Sequence, residues 1–327
     1  MSPAGTPSDG AGMWSFDGCC GRRGDAIVET RSRHVPGTAC SDPGGTVTAP
    51  SAHLGDYLRA RRALVRPTDV AIISSRTRRV PGLRRNEVAQ LAGISQEYYL
   101  RLEQGRDRRP SHQVLAAIGR ALLLDPVAVE HMHRLAEFDE QDAPYAVPAK
   151  AAVVDGLTDL VDGLTDLPAL VISADQDVLA ANPLARLVRP RLQPGSNVLL
   201  ELFSSHGRAD AVAWADDARR AVANLRFHGD PRSTRYQEVV GTLAIRDDTF
   251  RTLWARHDVE RQVVWPAQIR VGTIGPVDFV CHSLAVPGPS GQSLVTLTAK
   301  AGSAGARLLQ HARRRSAAAP SPAAAVA

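Results

Sequence analysis

The stretch that most constrains the fold runs from Val80 to Gly105 and reads VPGLRRNEVAQLAGISQEYYLRLEQG. Its spacing predicts one helix over Arg84 to Ala92, a sharp turn at Gly93, where glycine tolerates a left-handed backbone, and a second helix that Ser95 caps and that runs to Glu103. The apolar positions at helical spacing are Val88, Leu91, Ala92, Tyr99 and Leu102. Two short helices joined by a tight turn predict a helix-turn-helix that binds DNA.

The outward face of the second helix is polar in its N-terminal half, where a recognition helix meets base edges in the major groove. Gln96 can bond adenine, Glu97 can accept from cytosine N4, and Arg101 can donate two hydrogen bonds to guanine. We therefore predict that these three side chains read bases. The alternative is a pair of core helices in some other all-α domain. The order Ala89, Gly93, Ile94, Ser95 is more specific than apolar periodicity and favours the DNA-binding interpretation.

Positive charge is concentrated around this motif. Of the 39 basic residues, 37 are arginine. Residues 53–138 hold 15 Arg and nine acidic residues, a net charge of +6, whereas residues 139–306 hold 16 basic and 20 acidic residues, a net charge of −4. Because neutralised phosphates supply most non-specific DNA affinity, the first segment is expected to contact double-stranded DNA and the second is not.

Several classes of protein are disfavoured by the cysteines and by hydropathy. The cysteines at 19, 20, 40 and 281 lack the spacing of zinc ligands, so neither a metal nor a cofactor is expected. No apolar run approaches 18 residues, and the start lacks the order of a signal peptide. The sequence therefore predicts a cytoplasmic protein with reduced thiols and no membrane partner.

The motif lies within a longer helical segment. Residues 1–52 are rich in Gly, Pro, Ser and Thr and are expected to be a disordered tail. Helical patterns begin near Leu54, follow Ser111, and close with Pro126 to Phe138, which predicts five helices over residues 53–138. The basic loop after Gly105 precedes a helix N-terminus and is predicted to contact phosphates.

At this point a family resemblance is evident. Residues 54–136 resemble the lambda-repressor-like (XRE/Cro-type) helix-turn-helix domain, and RRVPGLRRNEVAQLAGISQEYYLRLEQGR resembles regulators of the MmyB-like family. The resemblance supports Gln96, Glu97 and Arg101 as base readers and an internal ion pair between Arg62 and Glu103. The DNA backbone candidates are Arg84, Arg85, Tyr98, Arg106, Arg108 and Arg109.

The resemblance also implies a PAS-like ligand-binding domain over residues 151–306, after a linker at 139–150. Within it, DGLTDL occurs twice, at Asp155 to Leu160 and at Asp162 to Leu167, and predicts one amphipathic helix or a short dimer contact. Strands are predicted at 169–173, 178–181, 268–273, 276–284 and 293–299, with helices at 198–203, 210–227, 234–245 and 247–257. Residues 307–327 are predicted to be a basic, largely disordered tail.

The predicted fold class is therefore multidomain, with an all-α five-helix lambda-repressor-like DNA-binding domain followed by an α+β PAS-like domain and with disordered termini. A sheet crossed by helices can leave an apolar cavity, and the resemblance implies a lipophilic effector such as a fatty acid. The candidate lining residues are Leu199, Leu202, Phe203, Trp214, Phe227, Trp254 and Phe279.

An enzymatic function is not expected. The only two lysines, Lys150 and Lys300, lie outside the middle of the second domain, which disfavours a self-cleaving Ser-Lys protease. His257 and Asp258 are adjacent and should face apart, so no catalytic residue is assigned. The sequence predicts a homodimeric transcription regulator, since one recognition helix covers too few base pairs. The alternative is an antitoxin or protein-interaction regulator that uses the same DNA-binding domain.

Overall fold

The computed structural model describes residues 53–72, 80–107, 109–140, 152–288 and 290–318. The predictions for the tail at 1–52, for the linker from 141 onward, for Arg108 and for the last nine residues lie outside this range. No helix of the described residues is long and apolar enough to cross a membrane.

The first domain is helical, as predicted. Five α-helices form between residues 53 and 140 of the described chain, with a 3-10 turn at Pro67–Val70: α1 (His53–Leu64), α2 (Arg85–Ala92), α3 (Gln96–Glu103), α4 (His112–Ala121) and α5 (Pro126–Glu140). The five-helix prediction is confirmed. The last helix continues two residues beyond the predicted end, because Asp139 accepts hydrogen bonds from the first backbone amides of α1, at 3.3 and 3.0 Å.

A single apolar core holds these helices together. Tyr57, Leu83, Tyr99, Ile118 and Met132 are fully buried in it. α1 crosses the end of α3 closely because residue 55 is glycine: a Cβ there would lie 2.5 Å from the carbonyl oxygen of Glu103. The core-facing side of α3 is therefore held in place by buried apolar side chains and by close backbone packing.

The second domain is built on one antiparallel sheet. Its strands are β1 (Ala169–Ile172), β2 (Val178–Ala181), β3 (Val264–Val271), β4 (Gly275–Ala285) and β5 (Ser293–Thr298), in the order β2-β1-β5-β4-β3. β1 therefore pairs with β5 although most of the domain separates them in sequence. The predicted α+β architecture is confirmed.

Helices occupy most of the chain between β2 and β3. They are α7 (Pro183–Val188), α8 (Val198–Leu202), α9 (Ser205–Asp210), α10 (Trp214–His228), α11 (Thr234–Arg246) and α12 (Asp248–Ala255), with α6 (Leu157–Gly163) before the sheet and α13 (Ala304–Ala318) after it. The prediction of a largely disordered tail is wrong for residues 307–318, which are helical because Leu309 is buried in the core of the sheet. The single helix expected over residues 210–227 is interrupted, since Ala211 is extended and bridges to Ile269 on β3.

The DGLTDL repeat does not form one helix. α6 ends at Gly163, so four of the six residues of the second copy lie outside it. The reason is tertiary, because the side-chain amide of Asn182 donates to the carbonyl oxygens of Leu164 and Leu167 at 2.8 and 2.7 Å. Those carbonyls are thus satisfied without a helix, and Pro168 follows directly.

Candidate nucleic-acid interface and ligand cavity

The turn between α2 and α3 has the local geometry that its sequence predicts. Gly93 adopts a left-handed backbone with φ 68°, and the Ser95 hydroxyl accepts a hydrogen bond from the Tyr98 amide at 3.1 Å. Tyr99 and Leu102 are buried in the core behind the helix. The opposite face of α3 is consequently directed to solvent.

The three proposed base readers lie on that solvent face. Gln96, Glu97 and Arg101 are all exposed. The Arg101 guanidinium lies 3.5 Å from the Glu97 carboxylate one turn earlier and 5.8 Å from the ring of the half-buried Tyr98. An exposed pair of this kind contributes little free energy, so DNA can displace it at low cost.

The predicted backbone contacts divide into two groups. Arg84, Arg106 and Arg109 are exposed beside the motif, and Arg108 lies outside the described residues. Arg85 differs, since its Nε lies 2.6 Å from the Glu103 carboxylate. Its charge is therefore partly used inside the domain, which sequence spacing did not indicate.

Glu103 is the electrostatic centre of the domain. It is 1% exposed and is bound by two guanidinium groups, with Arg62 Nε 2.5 Å from one oxygen and Arg85 at the other. Arg62 also donates to the carbonyl oxygen of Leu83 at 2.8 Å. Burial raises the pKa of Glu103, but the hydrogen bonds and charges of both arginines outweigh it, and the net pKa is lowered. The carboxylate stays ionised and ties α1, α2 and α3 together.

In the second domain, a cavity of about 570 Å³ lies between the sheet and the helices that cover it. Its walls include Val198 and Leu202 of α8, Ala221 of α10, and Trp265 and Ile269 of β3. A smaller cavity of about 100 Å³ shares part of this wall. The smaller cavity reaches the sheet at Leu170, Ile172, Cys281, Val295 and Leu297. The two adjoining cavities, which we call the cleft, are therefore lined mainly by apolar side chains where they reach the sheet.

Six of the seven residues predicted to line a cavity lie elsewhere. Of the seven, Leu202 borders the large cavity. Leu199, Phe203, Trp214 and Trp254 pack in the cluster between helices α8, α10, α11 and α12, and Phe279 lies in the core of the sheet. Phe227 contacts Arg134 of α5. Large rings fill space efficiently, so the predicted aromatic residues form the packed core. The cavity is instead bordered by Trp265 of β3, an aromatic residue that was not among those predicted.

Four arginines of the described chain line the larger cavity, namely Arg189, Arg191, Arg220 and Arg270. Arg220 is paired with Asp217 at 2.7 Å, and Arg191 with Asp210 at 3.6 Å. Arg189 is half-buried, borders both cavities, and has no acidic partner within 4.0 Å among the described residues. An unpaired cation beside an apolar cleft can bind the negatively charged group of an amphipathic molecule.

The titratable side chains that the sequence offers for metal binding or acid-base chemistry have other surroundings in the described structure. In the part of the chain that the structure describes, no three His, Cys, Asp or Glu side chains are close enough to hold a metal. Burial raises the pKa of the Cys281 thiol to about 11, so it is neutral and unreactive. Asp258 binds Arg61, whereas His257 faces Arg226.

Comparison with known protein families agrees with this division of the chain. Residues 53–132 match the model of a helix-turn-helix domain, and residues 153–312 match that of the MmyB-like transcription regulator ligand binding domain. No curated protein matches the chain. With an exposed recognition helix in the first domain and a lined cavity in the second, the chain is a DNA-binding transcription regulator with an MmyB-like ligand-binding domain.

Proposed function

We propose that the protein binds an operator as a homodimer, reads it with α3, and changes its DNA affinity when a fatty-acid-like effector occupies the cavity. The proposed effector is supported by the cleft itself, which is lined mainly by apolar side chains where it reaches the sheet and has Arg189, without an acidic partner in the described chain, on its wall. A dimer is favoured because a single recognition helix contacts too few base pairs for useful specificity.

Base reading is assigned to Gln96, Glu97 and Arg101, and phosphate contact to the exposed arginines beside the motif. Replacing Arg101 with Ala should weaken operator binding by about 1–3 kcal/mol and relax one position of the site, because one bidentate base contact is lost. Replacing Arg106 with Ala should weaken all sequences similarly and reduce the salt dependence. The measurement is fluorescence anisotropy on an operator selected from random DNA, over a salt series. Equal losses for Arg101→Ala on operator and random DNA would contradict its assignment.

The effector is expected to be a long-chain carboxylate. Palmitate should bind the protein in titration calorimetry, and Arg189→Gln should weaken this binding by about tenfold, the equivalent of about 1.4 kcal/mol for one charge-assisted contact. Hexadecanol, which lacks the carboxylate, should be insensitive to the substitution. The matched control is Arg186→Gln, since Arg186 lies on the neighbouring α7 and outside the cavity. Equal palmitate affinity in Arg189→Gln and the native protein would contradict this site.

Analytical ultracentrifugation on operator DNA tests the dimer. Two protein chains for each operator are expected, and one chain for each operator would disprove the proposed stoichiometry.

A further inference from the structure

The two domains belong to one compact unit and contact each other through a defined set of side chains. Arg61 on α1 lies 3.1 Å from Asp258, and Glu130 on α5 lies 3.2 Å from Arg261. Between these two ion pairs, Val259 packs against the apolar core of the DNA-binding domain. The short segment after α12 is thus held by the DNA-binding domain through both charge and apolar contact.

The C-terminal end of α10 makes the second half of this interface. Arg134 of α5 donates hydrogen bonds to the backbone carbonyl oxygens of Phe227 and His228. The Arg134 guanidinium also lies 5.4 Å from the centre of the Phe227 ring. Arg134 therefore binds the last turn of α10, where the helix exposes its unpaired carbonyl groups.

These same two elements form a wall of the ligand cavity. On α10, Ala221 borders both cavities and Asn224 borders the smaller one. Gln262, which ends the segment that contacts the DNA-binding domain, borders both cavities as well. Gln262 lies four positions after Asp258, so at most about 14 Å of chain connects the interface to the cavity wall.

The segment and α10 are bonded to each other. The Glu260 amide donates to the Ala223 carbonyl at 3.3 Å, and the Gln262 amide donates to the Asn224 side-chain oxygen at 3.2 Å. His257, at the start of the segment, has a left-handed backbone with φ 52°, a conformation that only surrounding contacts can hold in a non-glycine residue. A shift of α10 at Ala221 or Asn224 is therefore transmitted to the segment through direct bonds.

We propose that the segment Arg256–Gln262, which we name the coupling segment, together with α10 transmits occupancy of the cavity to the DNA-binding domain. The proposal rests on the proposed function, because it gives the effector site its regulatory route. A ligand changes DNA affinity only if it binds differently to the arrangements that the coupling segment allows. By linkage, operator DNA must then change ligand affinity by the same factor.

The first test measures the ratio of operator dissociation constants without and with palmitate. In the native protein, palmitate should change the operator dissociation constant by about 5- to 150-fold. Asp258→Arg places a positive charge against Arg61 and should bring the ratio to about one. Asp258 also pairs with Arg256 of the coupling segment at 2.7 Å, so the charge swap includes this position. The variant Arg61→Asp/Arg256→Gln/Asp258→Arg should restore the native ratio. The matched control is Asp248→Arg on α12. The Asp248 side chain is 89% exposed and pairs with Arg251 of its own helix, so this variant should keep the native ratio.

A second test does not depend on the identity of the ligand. Ala221→Trp fills the cavity from α10 and should change operator affinity in the native background but not in the Asp258→Arg background. Circular dichroism checks that each variant is folded. If Asp258→Arg does not fold, Val259→Ser replaces it, because this substitution weakens the apolar contact without adding charge.

The outcomes separate the two proposals. If palmitate does not bind but Ala221→Trp still acts through Asp258, the proposed fatty-acid effector is disproved and the proposed role of the coupling segment is supported. If palmitate binds and Asp258→Arg leaves the ratio of operator dissociation constants unchanged, the proposed role of the coupling segment is disproved and the proposed ligand site is supported. If neither palmitate nor Ala221→Trp alters operator affinity, the coupling proposal is overturned.

Discussion

The two domains differ in how they use their interiors. The DNA-binding domain closes around one apolar cluster, and its buried carboxylate, Glu103, is held by two arginines. The ligand-binding domain divides its apolar residues among three clusters and retains a cavity of about 570 Å³ beside the sheet. The half-buried Arg189, which borders this cavity, is left without an acidic partner within 4.0 Å in the described chain.

This difference corresponds to two tasks. A helix that reads base edges must keep its side chains in one position, which requires a closely packed support. A domain that admits a ligand must leave space unfilled and a polar group unpaired, and both lower its stability. The DNA-binding domain should therefore be sensitive to any loss of packing or pairing, whereas the cavity wall of the second domain should be tolerant.

The largest expected effect is at Glu103. Replacing Glu103 with Ala leaves Arg62 without its carboxylate in a mostly buried position and should lower the free energy of unfolding by about 3–5 kcal/mol. Urea unfolding followed by circular dichroism measures it. Glu97→Ala is the matched control because Glu97 is 81% exposed, and its effect should stay within about 0.5 kcal/mol. If both variants lose a similar amount of unfolding free energy, the buried Glu103 has no special role in the stability of this domain.

A pair of leucines compares the two interiors directly. Leu102→Ala opens a new cavity behind α3 and should cost about 3 kcal/mol, whereas Leu202→Ala enlarges a space that already exists and should cost about 1 kcal/mol or less. Thermal unfolding of both variants gives the comparison. A larger loss for Leu202→Ala would mean that the cavity wall is packed as rigidly as the DNA-binding domain.

The boundary between the domains gives the smallest predicted effect, a dependence on pH. Burial, reinforced by nearby arginines, lowers the pKa of His131 and His257 to about 3 and that of His228 to about 4. His131 is near Arg226, Arg134 and His257; His257 is near Arg226, Arg61 and Asp258; His228 is near Arg134 and Arg261. These imidazoles are neutral in the folded protein, so only the unfolded chain takes up protons just below pH 6.5.

Stability should therefore be complete above about pH 6.5 and decline as the pH falls below it. For the buried His131 the loss at pH 5.5 is about 1.4 kcal/mol, since the unfolded state is by then mostly protonated. The urea concentration at the midpoint of unfolding, measured at pH 7.5 and at pH 5.5, gives this decline in stability. His131→Asn should reduce it, while His206→Asn, at an exposed position, should not. A decline that is unaltered in His131→Asn would assign the pH dependence to other groups.

Sequence reasoning was most successful where local rules decide the structure. Gly93 and Ser95 define the turn and the cap of α3 through backbone conformation and one hydrogen bond, and both follow from residue type. It was least successful for the ligand cavity, where six of the seven proposed lining residues lie in the packed core or at the domain interface. Size and hydrophobicity identify residues that are buried, but they do not distinguish a filled space from an empty one.

The sequence by itself therefore determined the two-domain order, the helix-turn-helix and the polar face of α3, because periodicity, turns and caps are local properties. Only the tertiary structure decided which groups meet across long separations. It joined Arg85 to Glu103, ended α6 through Asn182, and placed Asp258 against Arg61 and Gln262 at the cavity. These contacts depend on how helices and strands pack, which no local pattern specifies.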